Sequence, residues 1–102
     1  MALQQKEFQL GDLKGMIYDF PEKGDTLPMH THTEQDVHIT IVAKGKFKVK
    51  GTEWTKNVTA GNILDWQPNQ PHEFTATTKG ARIVNIIKNI PDSVPVANTS
   101  NT

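Results

Sequence analysis

His30-Thr31-His32-Thr33-Glu34-Gln35-Asp36-Val37-His38-Ile39-Thr40-Ile41-Val42 is the stretch on which the fold turns. The chain has four histidines, and three of them fall inside this run. In an extended strand, side chains two positions apart share a face, so His30-Thr31-His32 aims two imidazoles at one point. His38 cannot stand beside them on the same straight strand, because six residues at ~3.3 Å each carry it about 20 Å away. The chain must therefore bend within the polar, turn-capable Thr33-Glu34-Gln35-Asp36 segment. The β-branched run from Val37 to Val42 then reads as a second strand returning next to the first, which brings a third imidazole to the pair. The fourth, His72, follows Trp66-Gln67-Pro68-Asn69-Gln70-Pro71. Imidazole is the commonest protein metal ligand, and every histidine of the chain falls into one pattern, H-x-H-x5-H-x33-H. That pattern points to a metal site rather than to four separate hydrogen-bonded rings.

Outward from this stretch the chain reads as β throughout. No helical period persists for two turns, and short β-rich runs are separated by Gly and Pro. Phe8–Leu10 and Gly15–Phe20 come first, closed by a turn at Pro21-Glu22-Lys23-Gly24-Asp25. Thr26–His32 is the next expected strand. Asp36–Ala43 and Lys46–Lys50 flank Lys44-Gly45, which has the look of a short hairpin. Thr55–Ala60 reads as a looser polar section. Ile63–Trp66, His72–Thr77 and Ala81–Lys88 complete the set, the last two separated by Thr78-Lys79-Gly80. Parity assigns faces: with His38 inward, Thr40 and Val42 follow it, and Val37, Ile39 and Ile41 point out. In the same way Phe47 and Val49 face in, and Lys46, Lys48 and Lys50 face out. Strands this short and evenly spaced indicate an all-β antiparallel sandwich or barrel.

One hundred and two residues make one domain, expected over 1–90, with 91–102 a loose, polar, proline-containing tail. A formal charge of zero offers nothing to nucleic acid or to an anionic membrane surface. The absence of cysteine removes disulfides and thiolate catalysis. No apolar run approaches the ~18 residues of a membrane span and the N-terminus has no apolar leader core, so a cytoplasmic protein is expected. Asn57-Val58-Thr59 matches a glycosylation sequon, read in that setting as coincidence.

These residues carry a family resemblance. The chain resembles a small single-domain cupin, an RmlC-like jelly-roll barrel (double-stranded β-helix). The first cupin motif is Gly, five residues, H-x-H, a gap, an acidic ligand, six residues, Gly. Gly24, His30, His32 and Gly45 match it, and His38 occupies the place where the family usually has Glu, after a gap one or two residues longer than usual. The second is Gly, five residues, P-x-G, two residues, His; Gly61 and His72 match. Gln67 replaces the Pro, with Pro68 beside it, and Asn69 replaces the Gly, a mild change because Asn tolerates the left-handed backbone such a turn needs. The Asn that often follows the last His is Ala76 here.

The resemblance implies one octahedral ion held by His30, His32, His38 and His72 inside the barrel, with two adjacent open positions. Closure by four histidines in a tetrahedron would instead make a structural site with no opening. An all-nitrogen set suits Fe, Mn, Ni, Zn or Cu and disfavours Mg and Ca. Four neutral ligands leave the full charge on a divalent ion, which favours an anionic or enolate-like ligand. No side chain is assigned a catalytic role. Gln35 and Asp36 either hold a ring N–H of the site or form a polar turn. Tyr18 is either an acid at the barrel mouth or a core residue, and Trp66 and Phe74 either wall a pocket or belong to the core. Met16, Met29 and Asn85 are weaker candidates, and Arg82 either clamps a substrate carboxylate or makes an outward salt bridge. Three functions are compatible: a metal-dependent, dioxygenase-like oxidoreductase acting on a small oxygenated or anionic molecule; a non-catalytic small-ligand or metal-binding module; and a sugar isomerase or epimerase. The outward Val37-Ile39-Ile41 row predicts a homodimer.

Overall fold

The structure, a computed structural model, describes residues 3–31, 37–67 and 69–88. Among them, nine strands account for the regular structure: β1 (Gln4–Leu10), β2 (Leu13–Phe20), β3 (Thr26–His30), β4 (Val37–Lys44), β5 (Lys46–Lys50), β6 (Thr55–Thr59), β7 (Ile63–Asp65), β8 (His72–Ala76) and β9 (Ala81–Lys88). They form a five-stranded sheet in the order β1-β2-β9-β4-β7 and a four-stranded sheet in the order β3-β8-β5-β6, with every pairing antiparallel. The all-β jelly-roll expectation holds.

Alternating side chains decide which way each strand faces. On β5 the three lysines are exposed while Phe47 and Val49 are buried, and on β8 His72, Phe74 and Ala76 turn inward together. On β4, His38, Thr40 and Val42 are buried, as parity requires. Phe20, Val42, Phe47, Val49, Phe74 and Ile83 form the centre of the core, with Phe20 and Phe47 meeting edge to face at 4.8 Å. Burying each such side chain contributes roughly 1.5–3 kcal/mol. The inner faces of the two sheets thus supply the apolar contact that holds them together.

Sheet membership departs from the sequence reading in two places. Lys44-Gly45 is not a hairpin, because β4 belongs to the five-stranded sheet and β5 to the four-stranded one. Gly45 is instead the corner at which the chain crosses between sheets. Its φ is 76°, and a Cβ there would stand 2.6 Å from Thr78 Oγ1 and 2.8 Å from Ala81 Cβ, so only glycine fits. The second correction concerns His38, whose strand is not the neighbour of the His30 strand. β3 pairs with β8, and β4 pairs with β9 and β7 in the opposite sheet. The expected polar section at Thr55–Ala60 is also strand for most of its length: β6 is an edge strand that buries only Val58, so its exposed polar side chains hide the two-residue period.

At the other end of the first sheet, Gly11-Asp12 closes a tight β1–β2 hairpin, and the Phe8 ring lies over Gly15 on the paired strand. The turn before β3 forms as expected, with Asp25 accepting the Glu22 N–H at 2.9 Å. Among the described residues no helix is long and apolar enough to cross a membrane. The expected tail at 91–102 lies outside the described residues.

Candidate metal centre

Two imidazoles meet across one rung of the four-stranded sheet. His30 ends β3 and His72 begins β8, and the two are register partners after an irregularity that starts at Leu27. Their rings stand 4.3 Å apart, centre to centre, at 69°. Each ring is fixed in the same manner: Nδ1 of His30 lies 2.7 Å from the Pro28 carbonyl, and Nδ1 of His72 lies 2.8 Å from the Gln70 carbonyl. A carbonyl only accepts, so each Nδ1 carries a proton, and in the neutral ring this leaves the lone pair on Nε2. This is the tautomer a metal-binding imidazole needs, held by the kind of backbone contact that orients such ligands.

The third imidazole comes from the opposite sheet. His38 is fully buried on β4, with both ring nitrogens shut off from solvent, and its ring centre lies 5.4 Å from that of His72. The structure thus brings together His30, His38 and His72. His32 lies outside the described residues, as do Gln35 and Asp36. Among the described residues no group of three or more His, Cys, Asp or Glu side chains stands in a metal-holding arrangement. The donors present fit a borderline transition ion by their chemistry, neutral nitrogen with an oriented lone pair.

Of the two readings, the structure gives Trp66 and Phe74 the core one: each is buried there, and each ring meets that of the last histidine. Trp66 stacks on His72 at 4.2 Å and 15°, and Trp54 stacks on the same indole at 6.1 Å and 19°. Phe74 approaches His72 edge-on at 6.3 Å. Trp66 is held from both directions. Its backbone N–H donates to the His38 carbonyl at 2.9 Å, and its Nε1–H donates to Thr40 Oγ1 at 2.9 Å. The Thr40 hydroxyl in turn donates to Asn85 Oδ1 at 2.5 Å. Thr40, Asn85, His38 and His72 are the buried polar residues among those described. The sequence reading placed Thr40 inward and named Asn85 weakly, but missed the bond between them and the role of Trp54. The parity of β4 with a buried His38 was the available signal for Thr40.

Tyr18 is not brought to the histidines. It is half-buried and packs against the core, on the rung of Ile83 and Val42, whereas His38 shares a rung with Ile87. Burial pushes its phenol above the usual value. Arg82 makes the outward salt bridge: Nε meets Asp19 Oδ1 at 2.7 Å and Nη2 meets Oδ2 at 3.2 Å. That hydrogen bond holds the Asp19 carboxyl below the usual carboxylate range.

The motif positions also take the backbone the resemblance asks for. Gly24, Gly45 and Gly61 all have positive φ, and Asn69, which stands where the motif has Gly, has φ 64°. It is the one non-glycine residue with positive φ among those described.

No protein-family model matches the chain, and no curated protein does. Solved structures match it closely in shape. KdgF from Halomonas sp. superposes with a TM-score of 0.76 at 18% identity, over 89% of this chain and 83% of that one. An RmlC-like cupin from Desulfovibrio desulfuricans gives 0.76 at 19%, over 85% and 82%. A predicted oxalate decarboxylase from Thermotoga maritima gives 0.75 at 12%, over 86% and 81%. At such identities the likeness speaks of the fold alone. Two sheets, the strand order and these neighbours together identify the chain as a cupin jelly roll in fold.

Proposed function

We propose that this chain is a metal-binding cupin whose ion is held by His30, His32, His38 and His72, and that it acts as an oxidoreductase on a small oxygenated or anionic organic molecule. The observation that carries the reading is the matched pair of anchors on His30 and His72: both present Nε2 as the lone-pair nitrogen on one side of a shared rung. A divalent Fe, Mn, Ni, Zn or Cu ion bound there would supply Lewis acidity and a template for an anionic ligand. The protein's own share is positional. The Gln70 carbonyl fixes the His72 tautomer, the Trp54–Trp66 stack fixes the plane of its ring, and Phe74 with Trp66 keeps bulk water from its inner side.

A second reading keeps the metal and drops the catalysis. Among the described residues no carboxylate or lysine is buried beside the histidines to move a proton, which suits a module that binds a small ligand without turning it over.

The test is direct. Freshly purified protein should contain close to one transition ion per chain by elemental analysis, and replacing both His30 and His32 by Ala should abolish it while far-UV circular dichroism remains that of a β-barrel. A double variant that keeps the full metal content, or wild-type protein that takes up none of the five metals, overturns the metal reading. Oxygen uptake with a panel of keto acids, diketones and catechols separates the two functions. A metal-loaded protein inert to the whole panel is the binding module.

A further inference from the structure

We infer that the outer face of the four-stranded sheet is a binding surface for inorganic polyphosphate, a linear chain of linked phosphates. This goes beyond the metal reading and does not depend on it. The cross-strand register sets three rows on that face: Thr77–Lys46–Thr59, Thr75–Lys48–Asn57 and Glu73–Lys50–Thr55. Each of these side chains is at least partly exposed, and none is apolar or aromatic. Lys23 joins them from the turn before β3. The Gly24 N–H donates to the Ala76 carbonyl at 2.8 Å, and the Thr26 hydroxyl lies 3.1 Å from both the Gly24 carbonyl and Thr75 Oγ1, so the turn is pinned to β8. Two open hollows of about 550 and 510 Å³ lie over the rows and meet at Thr77; the first is lined by Lys46, the second by Lys23, Lys48 and Lys50.

Neither edge protection nor ion pairing accounts for these lysines. β5 is an interior strand between β8 and β6, so it needs no charge to prevent pairing with another sheet. Among the described residues the salt bridges are Arg82–Asp19 and Lys88–Asp12, and Glu73 is the one carboxylate in the three rows. Four ammonium groups are thus gathered on one face of a chain whose formal charge is zero. Alternate residues of a strand are ~7 Å apart, so Lys46, Lys48 and Lys50 make a cationic line about 14 Å long. A hollow lined by one sign of charge concentrates anions of the other.

The occupant is argued from charge and from what the rows lack. Single-stranded nucleic acid is held by stacking its bases on aromatic rings, and membrane surfaces by an apolar wedge. Protein partners centre on Trp, Tyr and Arg anchors. The rows offer none of these. A sugar chain donates as well as accepts hydrogen bonds, and Glu73 alone is there as a charged acceptor. Ammonium groups only donate, and the hydroxyls of Thr55 and Thr59 and the amide of Asn57 add further donors. The complement is a ligand that only accepts, carries its charge along a line and has no flat or apolar part. A phosphate chain meets all three conditions, and lysine serves phosphate as a point charge.

End-labelled polyphosphate titrated with the full chain and followed by fluorescence anisotropy should bind, with a Kd that weakens about tenfold or more between 50 and 200 mM salt. Lys48→Gln and Lys50→Gln should each weaken it about threefold or more. Replacing Lys46, Lys48 and Lys50 together by Gln should abolish binding and flatten the salt dependence, with an unchanged circular dichroism spectrum. Lys6→Gln, on the other sheet, should leave Kd as it is. All these variants keep the four histidines, so a difference among them does not arise from phosphate contacting an ion there. A single-stranded oligonucleotide and dextran sulfate of matched charge should bind at least tenfold more weakly. Wild-type protein that binds no polyphosphate overturns the inference, and so does a triple variant that binds as well as wild type. Should the triple variant unfold, single variants without effect overturn it. Equal affinity for all three polyanions also overturns it, leaving an unselective cationic surface.

Discussion

Asn69 shows what one backbone angle contributes to the metal centre. The Gln70 N–H donates to the Gln67 carbonyl at 3.2 Å, closing a turn in which Asn69 is third, with φ 64°. A turn with that angle at its third position asks for Gly or Asn. The Gln67 N–H is also capped by Gln70 Oε1 at 2.9 Å, so the turn holds Gln70 from both sides. The Gln70 carbonyl then fixes His72 Nδ1. Asn69→Ala should cost about 1 kcal/mol of stability, since it keeps a Cβ in the left-handed region without the local hydrogen bonding of Asn, whereas Asn69→Gly should be neutral to within ~0.5 kcal/mol. Urea unfolding of the two variants checks the ranking, and an Ala variant as stable as the Gly variant would contradict it. Motif spacing made this residue legible in the sequence, because it stands where a glycine is expected. The same spacing located the four histidines, but the anchors at Pro28 and Gln70 could not be read. Each depends on how the chain turns two residues before the ring, and the sequence around Pro28 carries no turn motif to signal it.

Strands were legible because burial imposes a period of two, and His38-Ile39-Thr40-Ile41-Val42 displays it openly. Which sheet a strand joins was not legible: a Gly between two β runs looks the same whether it closes a hairpin or turns a corner, and at Gly45 it turns a corner. For the same reason the sequence alone suggests a strand beside His30 for His38, whereas the fold puts it in the opposite sheet. The consequence for packing is that β4, β9 and Trp66, the residue just after β7, are tied together by a buried polar chain, Trp66 to Thr40 to Asn85. Its members are 26 and 45 positions apart, so only the register reveals it. Thr40→Val keeps the shape and removes the hydroxyl, leaving an indole N–H and an amide oxygen buried with nothing to bond. That should lower the unfolding free energy by about 2–4 kcal/mol. Thr40→Ser keeps the bonds, loses one methyl group, and should cost only ~1 kcal/mol. Denaturant midpoints should therefore rank wild type above Ser and Ser well above Val, with unchanged slope. A Val variant at least as stable as Ser would show that the chain of bonds contributes nothing net.

Across the whole molecule, the histidines come from both layers: His30 and His72 from the four-stranded sheet, His38 from the five-stranded one. Between the sheets the remaining attachment is the apolar core, which in 102 residues leaves little surplus stability. An ion bound to donors of both sheets would act as a bolt between them, and the unfolded chain would offer it no assembled site. Such a ligand stabilises by mass action, about 2.7 kcal/mol at a hundredfold excess over Kd. For a domain this small, that corresponds to a rise in Tm of roughly 10–20 °C. Metal-stripped protein titrated with each candidate ion should therefore show a Tm that climbs with the logarithm of free metal. The ion giving the steepest climb at the lowest concentration identifies the preferred metal. His38→Ala separates bolting from mere occupancy. If the ion bridges the layers, this variant loses most of the rise even where it still takes up metal through the other histidines, and if the ion sits on the four-stranded sheet alone, the rise survives. A wild-type Tm indifferent to chelator and to all five ions would leave the anchored imidazoles as structural hydrogen-bonding groups, and the fold would stand without the metal.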